Sequence, residues 1–212
     1  MCDNGLYTCE AWQLFLRRLT PEGIFTVSRW YLPTSPGETA RMLALAIETL
    51  YAEGVQNPLS QLVLLQNGNI ATLLVARNAF SPGDLDIVES AAQRHGYNLL
   101  LTPRQTPGHA VLRGVTEQAT REALWSWTSQ QGLDLTPPTD ARPFFFSMLK
   151  PRTWLKQREQ VDAMDLSFLG NLQATQTLVF ATLVSVLLTL LTVIAPMLAR
   201  RADFPSLSRS HV

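Results

Sequence analysis

From residue 166 to residue 199 the chain carries no charged side chain. Its densest part, "LVFATLVSVLLTLLTVIAPMLA" from Leu178 to Ala199, closes on Arg200 and Arg201. As a helix, 22 residues reach roughly 33 Å, about the hydrocarbon thickness of a bilayer. A core helix of a soluble domain is the alternative, but it would be shorter or show a polar stripe. The hydroxyls of Thr182, Ser185, Thr189 and Thr192 are tolerable in lipid because each reaches its own helix backbone. Pro196 falls in the last turn, where a kink costs little. The expectation is a transmembrane helix over 178–199, a juxtamembrane connector over 150–177 and a short polar tail over 200–212. Arg200, Arg201 and Arg209 would keep that tail in the cytoplasm. A large preceding part without an export signal argues instead for keeping that part inside. The two rules conflict for a single span, and the second is preferred.

Residues 1–149 read as an α/β unit. Leu6, Trp12, Leu16 and Leu19 recur at helical spacing, so a helix is expected over 6–19. The Pro21-Glu22-Gly23 turn leads into "IFTVSRWYL", apolar enough for a buried parallel strand. Thr34-Ser35-Pro36 opens a second helix that stops at Gly54. In "LVLLQNGNIATLLVAR" two apolar runs flank Asn67-Gly68, the signal of a type I′ hairpin. Ser81-Pro82 starts a third helix, which Gly96 ends. "YNLLLTP" is a short strand, and a further helix starts at Thr116 and stops at Gly132. Strand, helix and hairpin in that order predict a mainly parallel sheet with one reversed strand. The first helix–turn–strand unit looks like the middle of such a sheet rather than its beginning.

Composition excludes several functions. The formal net charge is zero, and no basic face stands out for nucleic acid. Cys2 and Cys9 form no disulfide framework, and His95, His109 and His211 lack ligands at metal spacing. No Ser-His-Asp set and no G-x-S-x-G elbow occurs. The start shows no basic segment followed by an apolar run, so no secretory signal is read.

The stretch from Leu6 to Trp30 carries the pattern L-Y-T-x-E-A-W-x-x-F-L-x-x-L-x-P-x-G-x-x-x-x-S-R-W, and "TDARPFFFSML" spans Thr139 to Leu149. With an apolar helix after them, these resemble the spermidine synthase-like (polyamine aminopropyltransferase-like) domains of bacterial integral membrane proteins. Those domains belong to the class I S-adenosylmethionine-dependent methyltransferase superfamily. The resemblance covers most of residues 5–199. It implies the back half of a Rossmann-like methyltransferase sheet, a parallel strand plus an antiparallel hairpin, followed by a transmembrane helix. It also implies a bacterial inner-membrane location, with the soluble part in the cytoplasm. The expected partners are the lipid bilayer and a missing N-terminal half or other membrane helices. An intact relative is expected to use S-adenosylmethionine or its decarboxylated form.

Three departures qualify the resemblance. The family's second acidic position is Ala141 here. The Gly-rich turn that approaches an adenosyl donor is missing, for the eleven glycines contain no G-x-G. The family's catalytic Asp lies upstream of the helix that opens this chain, where only Asp3 is acidic. The expectation is therefore a C-terminal portion of a transferase, binding no cofactor alone and inactive without its donor-binding half. The alternative is a non-catalytic membrane-attached interaction or structural protein.

Five residues stand out on the substrate side. Tyr7 and Glu10 open the first helix; they either line a substrate mouth, or pack and complement the helix N-terminus. Arg29 ends a strand, where open α/β sheets place ligands. It either grips a carboxylate or phosphate or pairs with an acid. Asp140 and Arg142 belong to a lid or brace, or form a local ion pair. Phe144, Phe145 and Phe146 read as core or membrane-interface anchors. Trp125 and Trp127 cannot share one helix face, and His95 lacks an orienting partner. Without front strands the "IFTVSRWYL" strand has an open edge, so residues 1–165 alone are expected to be poorly soluble.

Overall fold

The computed structural model describes residues 3–148, 150 and 166–197. The chain divides into two compact units at the Asp165–Leu166 boundary. The first is α/β. A short 3-10 turn, Asp3–Leu6, precedes helix α1, Cys9–Arg18. Thr8 caps α1 by accepting from the Ala11 N–H, so the helix starts later than the apolar spacing suggests. Strand β1 is Ile24–Trp30, α2 is Gly37–Ala52, β2 is Leu62–Asn67 and β3 is Ile70–Ala76. Then come α3, Pro82–His95, and β4, Asn98–Leu101. Helix α4, Ala110–Thr116, was not anticipated, and α5 is Arg121–Gln130.

Four strands form one sheet in the order β1-β3-β2-β4. The parallel pairing expected from sequence is not found: every pair in the sheet is antiparallel. The hairpin explains this. Its return strand β3 inserts between β1 and β2, pairing Val27 with Leu73 and Leu64 with Leu73. Strands β1 and β2 therefore run the same way without touching. Nor is β1 a buried central strand. Its residues alternate between exposed and half-buried, with Ile24 44% and Trp30 57% exposed.

The hairpin itself forms where expected, but its turn is shifted by one residue. Asn67 pairs with Ile70, so Gly68 and Asn69 are the central pair. Gly68 has φ +54°, and no non-glycine residue among those described has positive φ. Glycine at the first central position with negative φ after it is the type II′ arrangement rather than type I′. Helix α3 follows its local signals closely. Ser81 and Asp84 form a capping box, Pro82 occupies the first turn, and Gly96 ends the helix at φ +70°. The last soluble helix starts differently from expectation: Thr120, not Thr116, caps α5, and Thr116 ends α4.

Helix α2 is the centre of the unit, with every residue from Gly37 to Leu50 buried. On one side it meets Phe25, Val27, Leu64, Leu73, Val75 and Leu101 of the sheet within a single core. Trp12 and Leu16 of α1, Leu112 and Val115 of α4, and Leu124 of α5 complete that core. Val63 lies on the other face of the sheet and is also fully buried. Helix α3, which packs along β4, brings the buried Leu85 and Ala92 outside that core. Trp125 and Trp127 are both half-buried, and of the two only Trp127 packs against that core.

The second unit is a helix, α6, from Leu166 to Thr189, continued by a π turn over Leu190–Ile194. It begins inside the expected connector; residues 151–165 and 198–212, including the tail, lie outside the described residues. Thr177–Met197 has mean hydropathy 2.6 and is long and apolar enough to cross a membrane. Thr182, Thr189 and Thr192 donate to the carbonyls four residues back, Leu178, Ser185 and Leu188. Pro196 lacks an N–H and would crowd the carbonyl of Thr192 in a regular helix. The π turn relieves that position, and the Ala195 N–H bonds to the Leu190 carbonyl.

Candidate functional site

The C-terminal end of β1 and the N-terminal end of α1 meet beneath the 134–148 loop. The junction begins with backbone chemistry. Cys9 N–H donates to the Pro138 carbonyl at 3.0 Å. Trp12 Nε1 donates to the Leu6 carbonyl at 3.0 Å, folding the residues before α1 back onto it. This places Tyr7 beside β1.

Arg29 alternates with Ser28 and Trp30, so it projects to the helix-covered face of β1. Its guanidinium lies 4.1 Å from the Tyr7 ring centroid, 4.8 Å from that of Phe146 and 5.8 Å from that of Phe145. The rings also contact one another: Tyr7 and Phe145 centroids are 4.8 Å apart, and Phe145 and Phe146 are 5.2 Å apart, edge to face. Arg29 Nε is buried and has no hydrogen-bond partner among the described residues. The sequence left open whether Arg29 pairs with an acid. Among the described residues it forms no salt bridge, and aromatic faces hold it instead.

Glu10 and Asp140 also come together, in a different role from a bare carboxylate pair. Glu10 Oε2 accepts from the Asp140 backbone N–H at 3.0 Å. Glu10 thus clips the loop to α1 while the Asp140 side chain stays exposed. Arg142 N–H donates to the Thr139 carbonyl at 2.8 Å, closing a turn over Asp140 and Ala141. No Asp140–Arg142 ion pair forms among the described residues. Of the five residues singled out from sequence, Tyr7 and Arg29 touch, Glu10 and Asp140 touch, and Arg142 shares the loop with Asp140.

The residue that fixes the loop was missed from sequence. Arg41, on α2, is buried and donates to four carbonyls of the loop. Nε reaches Thr136 at 3.0 Å, and Nη1 reaches Phe144, Phe145 and Ser147 at 3.2, 2.8 and 3.0 Å. Asp134 Oδ2 stands 3.9 Å from Nη2. Burial lowers the Arg41 pKa, and Asp134 opposes that shift. An arginine stays charged under either influence at neutral pH. Its signal was visible: Arg41 immediately precedes the apolar helical run "MLALAIETL", where a buried charge must find partners.

Chemically, a guanidinium held between rings at a strand's C-terminal end suits an anion it can grip bidentately, such as a carboxylate or phosphate. The exposed Asp140 carboxylate adds an attraction for cations at the same loop. Cys9 is a poor nucleophile here, for burial and the Glu48 and Glu10 carboxylates raise its pKa to about 12. Its thiol stays protonated at neutral pH. Among the described residues no group of His, Cys, Asp and Glu could hold a metal ion.

No protein-family model, curated protein or solved structure matches the chain. The side chains themselves carry the functional assignment.

Proposed function

We propose that this chain is the C-terminal, substrate-side portion of a membrane-anchored spermidine synthase-like transferase. In the intact transferase an amine nitrogen would attack the carbon next to the donor's sulfonium. The carbon–sulfur bond would break toward sulfur, and the new ammonium would release a proton. Holding the amine against that carbon is a positioning task. Exposed Asp140 would attract the cationic acceptor, and Arg29 would take an anionic group. The observation that carries the reading is Arg29 stacked on Tyr7 at the C-terminal end of β1, walled by Phe145 and Phe146 of the same loop whose Asp140 is clipped to Glu10. Supporting it, β1, α2 and the β2–β3 hairpin follow one another as in the back half of a methyltransferase sheet, with β1 and β2 running the same way.

Calorimetric titration of the detergent-solubilised chain tests this. Neither S-adenosylmethionine nor its decarboxylated form should give saturable heat, because the chain has no glycine-rich donor turn. Spermidine should bind weakly, and Asp140→Asn should abolish that binding. Saturable donor binding would mean that the chain builds a donor site by another route. Absence of polyamine binding would sink the substrate-side assignment. A second reading, a non-catalytic membrane-attached interaction protein, is favoured by the open edge of β1.

A further inference from the structure

The two edges of the sheet are built differently. Strand β4 is short, and its pairing with β2 is broken by a register shift between Leu64 and Leu65. Such features blunt an edge against further pairing. Strand β1 has seven residues, and within it there is no Lys, Pro, Asp or Glu. Its one charge, Arg29, faces the covered side of the sheet. Among the described residues nothing guards this edge.

The backbone defines which groups are on offer. Gly23 O accepts from Arg77 N–H at 2.9 Å and Tyr31 N–H donates to Asn69 O at 2.8 Å. Odd-numbered residues of β1 therefore point their backbone groups at β3. The even ones, Ile24, Thr26, Ser28 and Trp30, point theirs outward. The Trp30 carbonyl receives the Thr39 hydroxyl at 3.1 Å, which leaves it one lone pair. All four of these residues are solvent-exposed.

The same four residues are self-complementary. Reversed about Val27, the strand places Ile24 opposite Trp30 and Thr26 opposite Ser28. Both pairings join residues whose backbone groups point outward, so each exchanges two hydrogen bonds in an antiparallel ladder. Apolar meets apolar and hydroxyl meets hydroxyl. On the covered face Phe25 meets Arg29, an aromatic beside a cation. Reversal about Thr26 would instead oppose Ile24 to Ser28 and Trp30 to Glu22. Reversal about Ser28 would oppose Thr26 to Trp30. Within the sheet, Trp30 already faces Ile70 and Ser28 Oγ sits 2.8 Å from Thr72 Oγ1. A second copy would extend these into rows: Ile70, Trp30 and the second Ile24; Thr72, Ser28 and the second Thr26. The exposed Ile24, Trp30 and Ile70 would gain apolar neighbours.

We infer that the β1 edge pairs with the β1 edge of a second copy of this chain. The pairing is two-fold, antiparallel and centred on Val27, and it makes one continuous sheet. The blunted β4 edges at both ends close the assembly at two copies. The inference rests on β1 alone and does not depend on the transferase reading.

Register-specific cross-linking tests it on the full chain in detergent. In a Cys2→Ser, Cys9→Ser background, Val27→Cys places the two sulfurs directly opposite each other across the two-fold axis. Thr26→Cys and Ser28→Cys place them diagonally, too far apart to bridge. Mild oxidation should cross-link Val27→Cys about tenfold faster than either control. Sedimentation of the wild-type chain should show a dimer, and Ser28→Lys, an exposed edge change, should shift it to monomer. Equal cross-linking at 26, 27 and 28 would overturn the register. A monomeric wild-type chain with no Val27→Cys cross-link would overturn the dimer and leave the edge to a strand from another protein.

Discussion

The Arg41 guanidinium lies inside the protein with its donors aimed at backbone carbonyls of one loop. A backbone carbonyl buried without a donor is costly, so this side chain gives the 134–148 loop one place to sit. Phe145 and Phe146 belong to that loop and wall the Arg29 site. Removing the Arg41 charge therefore acts on both stability and the site. Arg41→Met keeps much of the volume but removes the donor from the Thr136, Phe145 and Ser147 carbonyls, while Phe144 keeps the Ser147 N–H. It should destabilise the first unit by about 3 kcal/mol or more. Urea unfolding followed by tryptophan fluorescence measures this, and a loss below about 1 kcal/mol would contradict the pinning role. Other buried charge is similarly specific. Glu48 on α2 is fully buried and accepts from Arg121 of α5, with Oε1 2.6 Å from Nε. Tyr7, Glu10 and Arg29 were recognisable from their places at element ends. Their contacts with Asp140, Phe145 and Phe146 were not, because that loop lies more than a hundred residues away in the chain.

At the scale of elements, local chemistry decided most boundaries. Helix α3 was legible because its cap, its proline and its terminal glycine act within a few residues of each other. The hairpin was legible for the same reason, with only the turn frame slipping by one residue. Helix α4 was not legible. It spans Ala110–Thr116 and has a histidine cap, His109 Nδ1 accepting from the Val111 N–H. Tertiary packing holds it: Gly114 lies against the Trp127 indole of α5. A Cβ at Gly114 would fall 2.1 Å from Trp127 Cζ2, inside the ring's contact surface. Gly114→Ala must push α4 and α5 apart and should cost about 1–3 kcal/mol. Gly108 has nothing within 4 Å of an added Cβ and provides the control. Thermal melts of Gly114→Ala and Gly108→Ala should differ clearly; equal melts would show that α4 and α5 separate freely.

For the whole molecule, one property follows from the apolar helix. Thr177–Met197 contains no charged residue and matches the thickness of a bilayer core. The full chain should float with membranes on a density gradient and resist alkaline carbonate, and a chain ending at residue 165 should not float. Extraction of the full chain by carbonate would refute an integral span. The other whole-molecule property is sheet order. A reading by local pattern set β1 beside a parallel neighbour, and the fold sets it beside the returning arm of the hairpin.

By itself the sequence determined what is written within a few residues or by solvent: the caps, the hairpin, the apolar span and the α/β composition. These depend on local backbone sterics and on transfer of side chains out of water. Only the tertiary structure decided that β3 enters between β1 and β2 and that Arg41 locks the loop. It also decided that Arg29 stacks on rings instead of pairing with an acid. Each of those depends on which distant surfaces meet. That choice is made by burial summed over the whole core around α2, which no short window of sequence contains.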